Sequence, residues 1–169
     1  MLYAFALLAA VAQPTESRAN LPDLFAAVCL DGQARLSSGD VTKIKFDDLP
    51  SGLKQRLANP TSGDVWQVGT SGRTYLYVLN YPDAPGVSPK ICGLASDEMS
   101  LNSGTAMLDL RLAGGGRMEQ AMRSRQWVNP HDGYIATATT ASRFNVLQVN
   151  WLSGHDRKRM SGEVGRLPH

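Results

Sequence analysis

Few residues in this chain have the types and spacing that chemistry needs, and they fall in short local groups. His131-Asp132 and His155-Asp156 are both His-Asp dipeptides, a pairing that serves as metal ligand or as general base and orienting acid. The metal-dependent phosphohydrolases that carry such a pair need further ligands, a histidine upstream and an aspartate downstream. The chain has 3 histidines, at 131, 155 and 169, so none precedes the first pair. No metal site is expected. Asn129-Pro130-His131-Asp132-Gly133 has the composition of a turn, since Asn, Pro and Gly each favour a chain reversal. His131 is still the best-placed candidate for a general base, with Asp132 to orient it. It would need a serine hydroxyl brought beside it by the fold.

Ser51-Gly52-Leu53-Lys54 has the spacing at which a lysine one helical turn away activates a serine, but the partner motifs S-D-N and K-T-G are absent. Gly69-Thr70-Ser71-Gly72 suits a hairpin turn, and Asp97-Glu98 and Asp47-Asp48 suit helix starts or solvated charges. Gly114-Gly115-Gly116-Arg117 could offer backbone N–H groups to an anion, although it lacks the Gly-Lys-Ser/Thr of a phosphate loop.

The net charge of +2 hides an asymmetry. Residues 20–100 hold 7 Lys/Arg against 9 Asp/Glu, whereas residues 101–169 hold 9 against 5. Arg111, Arg117, Arg123 and Arg125 lie close together in sequence, and Arg157-Lys158-Arg159 adds a basic run. The four clustered arginines are the candidate surface for an anionic or protein partner. No nucleic-acid motif accompanies them, so nucleic acid is not the expected partner. No cofactor is expected either.

Leu2 to Ala12 is an unbroken apolar run of the length of a signal-peptide core, and Ser17-Arg18-Ala19 offers small residues at the positions a signal peptidase accepts. Ala10-Val11-Ala12 is a second acceptable site. Residues 1–19 are therefore expected to be a signal peptide, and the protein to be extracytoplasmic, periplasmic or secreted. No apolar run approaches the ~20 residues that cross a bilayer, so the chain is not expected to span a membrane. Its 2 cysteines, Cys29 and Cys92, both lie in apolar settings. An even count in an exported chain predicts one disulfide between them.

The elements that must position these residues follow from periodicity. Leu21, Leu24, Phe25, Val28 and Cys29 share one helical face, with Asn20 as cap, Pro22 and Asp23 in the first turn and Gly32 at the exit. A second helix is expected over 48–58, stopped by Asn59-Pro60. Strands are expected at 65–68 and 74–79 as a hairpin, at 90–95, and at 134–141 and 143–151 as a final hairpin. Trp66, Tyr75 and Tyr77 would form an aromatic strand face lining either the core or a pocket, with the core preferred. Pro82, Pro85, Gly86 and Pro89 make a stiff connection. The stretch 97–128 is ambiguous. It reads as helix ended by Gly114 to Gly116 and resumed at Met118, Ala121 and Met122, with two strands joined at the glycines as the alternative. Apolar periodicity ends after Leu152, which predicts a flexible basic tail over 153–169.

At 43% hydrophobic and 19% charged, 169 residues suit one domain with a core of its own. The expectation is an α+β domain over 20–152, with a mostly antiparallel sheet of about five strands, the N-terminal helices on one face, and one disulfide. In element order this is loosely similar to profilin-like and PAS-like sensor folds, without a diagnostic motif of either. With no convergent set of titratable residues, the expected function is a small exported, non-enzymatic binding or interaction domain. The alternatives are an extracytoplasmic hydrolase using His131 as general base, and a secreted inhibitor presenting the Pro82 to Pro89 stretch. The expected partner is a protein or an anionic envelope component.

Overall fold

The computed structural model of the chain describes residues 20–32, 41–112, 117–121, 124–129 and 131–158. The segment read as a signal peptide, residues 114–116 and Arg123 lie outside them. α1 (Leu21–Phe25) starts where Leu24 N donates to Asn20 O at 2.9 Å, with Pro22 in its first turn. It runs on as a wider π-turn, Ala26–Leu30, in which Asp31 N reaches back to Ala26 O. Its buried stripe is Phe25, Ala26, Val28 and Cys29, the face that periodicity predicted. Burying the Phe25 side chain alone contributes about 1.5–3 kcal/mol. Cys29 is bonded to Cys92, with Cα atoms 5.5 Å apart. The predicted disulfide is formed.

Among the described residues the sheet is antiparallel and has eight strands, where about five were expected. β1 (Val41–Ile44), β2 (Ser62–Val68), β3 (Thr74–Asn80) and β4 (Lys90–Ser96) form one meander. α3 (Leu101–Leu112) crosses over to a second: β5 (Arg117–Ala121), β6 (Ser124–Asn129), β7 (Tyr134–Ala141) and β8 (Phe144–Trp151). The two meanders join where β4 pairs with β8, giving the order β1-β2-β3-β4-β8-β7-β6-β5. The helix read over the first half of 97–128 is therefore correct. The resumed helix after the glycines is not, because residues 117–121 pair with β6 as a strand.

Register decides what each face buries, since successive strand residues point to opposite sides. Cys92 pairs with Val78 and Val149, and Leu94 with Leu76 and Leu147. These residues form one core with Phe25, Val28 and Leu108, beneath α1 and α3. The alternate residues Tyr75, Tyr77, Leu79, Ile91, Ala95 and Val146 form a second core with Leu49, Leu53 and Leu57. Those leucines come from α2 (Ser51–Arg56) and its flanks, which follow a 3-10 turn at Phe46–Asp48. The N-terminal helices thus lie on opposite faces, not on one. The aromatic face is corrected on the same ground. Trp66 pairs with Leu76 and faces the first core, whereas Tyr75 and Tyr77 are buried in the second.

Tyr77 reaches across β4 to β8, where its hydroxyl donates to Gln148 Oε1 at 2.8 Å. Gly93 stands between them in the same cross-strand row, and a Cβ there would overlap the Tyr77 ring. Only glycine leaves the ring room. Burial holds the Tyr77 hydroxyl protonated far above the usual phenol range, and pushes Tyr81 up to about 12.

Candidate functional site

One end of the sheet carries both His-Asp dipeptides and the proline-rich loop. Asn80, Lys90, Trp151, Tyr134 and Asn129 form its terminal cross-strand row. Above that row stand the β3–β4 loop with its prolines, the β6–β7 turn with His131, and the chain leaving β8. The Lys90 ammonium lies over the Trp151 ring, 5.1 Å from its centroid, a cation–π contact that fixes the start of β4 against the end of β8.

The β6–β7 turn is the Asx-type reversal that its composition predicted. Asn129 Oδ1 accepts from Asp132 N at 3.0 Å, its Nδ2 donates to Asp132 Oδ2 at 2.8 Å, and Gly133 N donates to Asn129 O at 2.9 Å. His131 stands out from this turn with its side chain 95% exposed, and its Nδ1 lies 3.0 Å from Asp132 Oδ1. That hydrogen bond, with a smaller one from Asn129, holds the Asp132 carboxyl below the usual carboxylate range. The imidazole is therefore oriented by a carboxylate, but it faces solvent.

The β3–β4 loop is held at three points. Tyr81 N donates to Pro89 O at 2.8 Å and closes its base. Val87 N donates to Ala84 O at 3.0 Å across Pro85-Gly86, and Gly86 has φ +73°. Proline at the second position and positive φ at the third define a type II turn, which glycine adopts without strain. Gly86 N, which points out of the turn, donates to Asp156 Oδ2 at 3.1 Å. With its backbone fastened in this way, the loop still exposes Pro82, Pro85 and Val87, the last at 36%.

Asp156 belongs to the segment expected as a flexible tail. Residues 154–158 form a helical turn, opened by buried Ser153. The Ser153 hydroxyl donates to Asp156 Oδ2 at 2.7 Å and accepts from Asp156 N at 3.1 Å. Leu152 N donates to Gly133 O, and the Arg157 guanidinium fills the space beside Gly133. Residues 159–169 lie outside the described part of the chain. The two His-Asp dipeptides, 24 residues apart in sequence, thus lie at the same end of the fold, linked through Gly133 to Leu152 and Arg157. Among the described residues, no group of three His, Cys, Asp or Glu side chains is placed to hold a metal.

Two of the four clustered arginines, Arg111 and Arg125, are each paired with an aspartate. Arg111 NH2 lies 3.4 Å from Asp31 Oδ2 and Arg125 NH1 3.0 Å from Asp109 Oδ2. Asp109 also accepts from Trp127 Nε1 at 3.1 Å, and Arg125 stacks over that indole ring. Arg117 pairs through its backbone with Val128. Lys54 donates to Asp47 O at 2.9 Å, a backbone bond that the lysine–serine reading of Ser51 did not anticipate.

Sequence reasoning missed one cluster at the opposite end. Asp97, read as a helix-start or solvated charge, has a side chain only 14% exposed. Its carboxylate receives Arg73 Nε at 2.8 Å and lies 3.7 Å from Arg143 Nε, while Arg73 NH1 also lies 3.5 Å from Glu98. Arg73, Asp97 and Arg143 come from three separate loops, so no local signal could reveal them. The cluster ties those loops together and leaves Asp97 matched by charge. Comparison of the chain with family models, with curated proteins and with solved structures finds no match in any of the three.

Proposed function

We propose that this chain is a small exported domain that binds a partner without catalysis, and that the loop between Tyr81 and Lys90 is its contact element. The observation that carries this reading is a loop whose backbone is fastened at 2.8, 3.0 and 3.1 Å while Pro82, Pro85 and Val87 stay in solvent. A contact element already held in its bound shape loses little conformational entropy on binding. Apolar, uncharged side chains at the turn favour a protein with a shallow apolar pocket over an anionic envelope component. The paired state of Arg111 and Arg125 points the same way.

Export is supported by the disulfide, which persists in oxidising compartments, and by the apolar segment at Leu2 to Ala12. Among the described residues, no helix is long and apolar enough to cross a membrane. The loosely profilin-like or PAS-like element order adds only that the scaffold presents its loops at the ends of a sheet.

Both alternatives are weaker. A hydrolase base must sit within hydrogen-bond reach of its nucleophile, and His131 stands 95% exposed on a turn with its ring on Asp132. A protease inhibitor that docks as an added strand needs free backbone N–H groups at its tip. Here Gly86 N and Val87 N are already engaged.

The test is retention of a partner from envelope extract on immobilised protein, comparing wild type with Val87→Asp and Leu110→Asp. Leu110 is 83% exposed on α3 and serves as an apolar control away from the loop. Val87→Asp is expected to lose the retained partner and Leu110→Asp to keep it. Equal retention by all three would refute the loop as contact element.

A further inference from the structure

The second His-Asp dipeptide enters the function above through a single bond, Gly86 N to Asp156, and its position gives it a further role. Asp156 Oδ2 accepts from Gly86 N at 3.1 Å, out of the loop, and from Ser153 Oγ at 2.7 Å, in its own turn. Ser153 is 1% exposed and therefore fixed, so the carboxylate is aimed by a buried hydroxyl and not by chance rotation. The turn itself is anchored to the β6–β7 reversal by Leu152 N on Gly133 O and by Arg157 beside Gly133. One short segment therefore connects the protein body to the middle of the type II turn. We propose that Ser153 to Lys158 is a latch that holds the β3–β4 loop in its binding shape, with Asp156 and Ser153 as positioning residues, so that the C-terminal segment governs the loop's readiness to bind.

The chemistry fits a latch better than a stability element. A β-turn leaves the N–H of its third residue pointing outward, without a partner inside the turn. In this loop that donor is Gly86 N, and a carboxylate is the stronger acceptor for it because a charge-assisted bond exceeds a neutral one. The bond lies at the surface, so breaking it frees the loop without opening either core. Any event that draws the C-terminal segment away, such as cleavage or capture of its basic residues, would loosen Pro85 to Val87 and leave the sheet intact.

This inference rests on the loop being the contact element, but its first test does not. Amide hydrogen exchange is followed residue by residue in the full chain for wild type, Asp156→Ala, Asp156→Asn and Ser153→Ala. Asp156→Ala is expected to speed exchange at Gly86 and Val87 about fivefold, as loss of one exposed hydrogen bond would. Amides in β3 and β4 should stay unchanged. Asp156→Asn keeps an acceptor oxygen and should restore most of the protection, and Ser153→Ala should fall between. Exchange at Gly86 that is equal in wild type and Asp156→Ala would overturn the latch, as would failure of Asp156→Asn to restore protection. If the latch variants behave as expected while Val87→Asp still retains the partner, the contact reading fails alone.

Discussion

Removing both sulfurs of the disulfide, as Cys29→Ala with Cys92→Ala, should lower stability by about 4 kcal/mol. The bridge spans a sequence separation of 63 residues. In the chain-entropy model a loop of that size restricts the unfolded chain by about 14 cal/mol/K, which is about 4 kcal/mol at 25 °C. Both half-cystines are buried, at 3% and 2% exposure, so truncation to alanine also removes some packing between α1 and β4. With an unfolding entropy of about 2.1 cal/mol/K per residue, a domain of about 130 residues should lose about 15 °C in its melting midpoint. The double substitution is preferable to reduction because it leaves no thiol to react. Circular dichroism melts of the oxidised wild type and the double variant measure the difference. A loss below about 3 °C would refute the reasoning. It would mean that Phe25 and Val28 alone hold α1 on the sheet, and that the bridge constrains little.

Three other outcomes follow from particular contacts. Gly93→Ala should destabilise by about 1–3 kcal/mol in urea denaturation, because the new Cβ overlaps the Tyr77 ring and pushes its hydroxyl from Gln148; an unchanged midpoint would contradict that packing. Leu53→Ala should cost about 2–5 kcal/mol, since Leu53 is fully buried on the inner side of α2 in the second core; a cost below about 1 kcal/mol would mean that this face is not closed by α2. His131→Ala should raise the Asp132 pKa toward its usual value, read by carbon-detected NMR titration. The carboxyl is lowered in the folded protein, so its favourable contribution is present above the unfolded value and fades as pH falls through the folded one. An Asp132 titration that does not move would remove the His131 hydrogen bond from the account.

How much was legible follows the strength of local pattern. The hairpins β2–β3 and β7–β8 carry dense β-branched and aromatic residues, strand β4 is a short apolar run bounded by Pro89, and the first helix has a clean apolar stripe ending in Cys29. These were readable, and so was the bridge they imply. β1, β5 and β6 were not. They are short or polar, and the Arg125-Gln126-Trp127-Val128 run shows its alternation only once Asp109 and Ala136 are placed against it. The error over Trp66 is one of register. The loop between Val68 and Thr74 sets which residues face each other, and a shift of one residue exchanges the faces. Leu110 misleads in the opposite way, because an apolar residue on the outside of α3 blurs the helical stripe. The candidate site was legible in parts. The turn at 129–133 and the stiffness of Pro82 to Pro89 are local properties. Their meeting with Asp156 is tertiary, and a segment without apolar periodicity gave no hint that Ser153 would be buried.

The central claim is that the tip of the β3–β4 loop touches the partner. A photo-reactive benzoylphenylalanine placed at Val87, and separately at exposed Gln55 on α2, tests it in the protein's own cellular setting. Irradiation should give a discrete higher-mass adduct from position 87 and none from position 55, and Asp156→Ala should weaken the adduct at 87. Adducts that form equally at both positions, or at 55 alone, would contradict the claim.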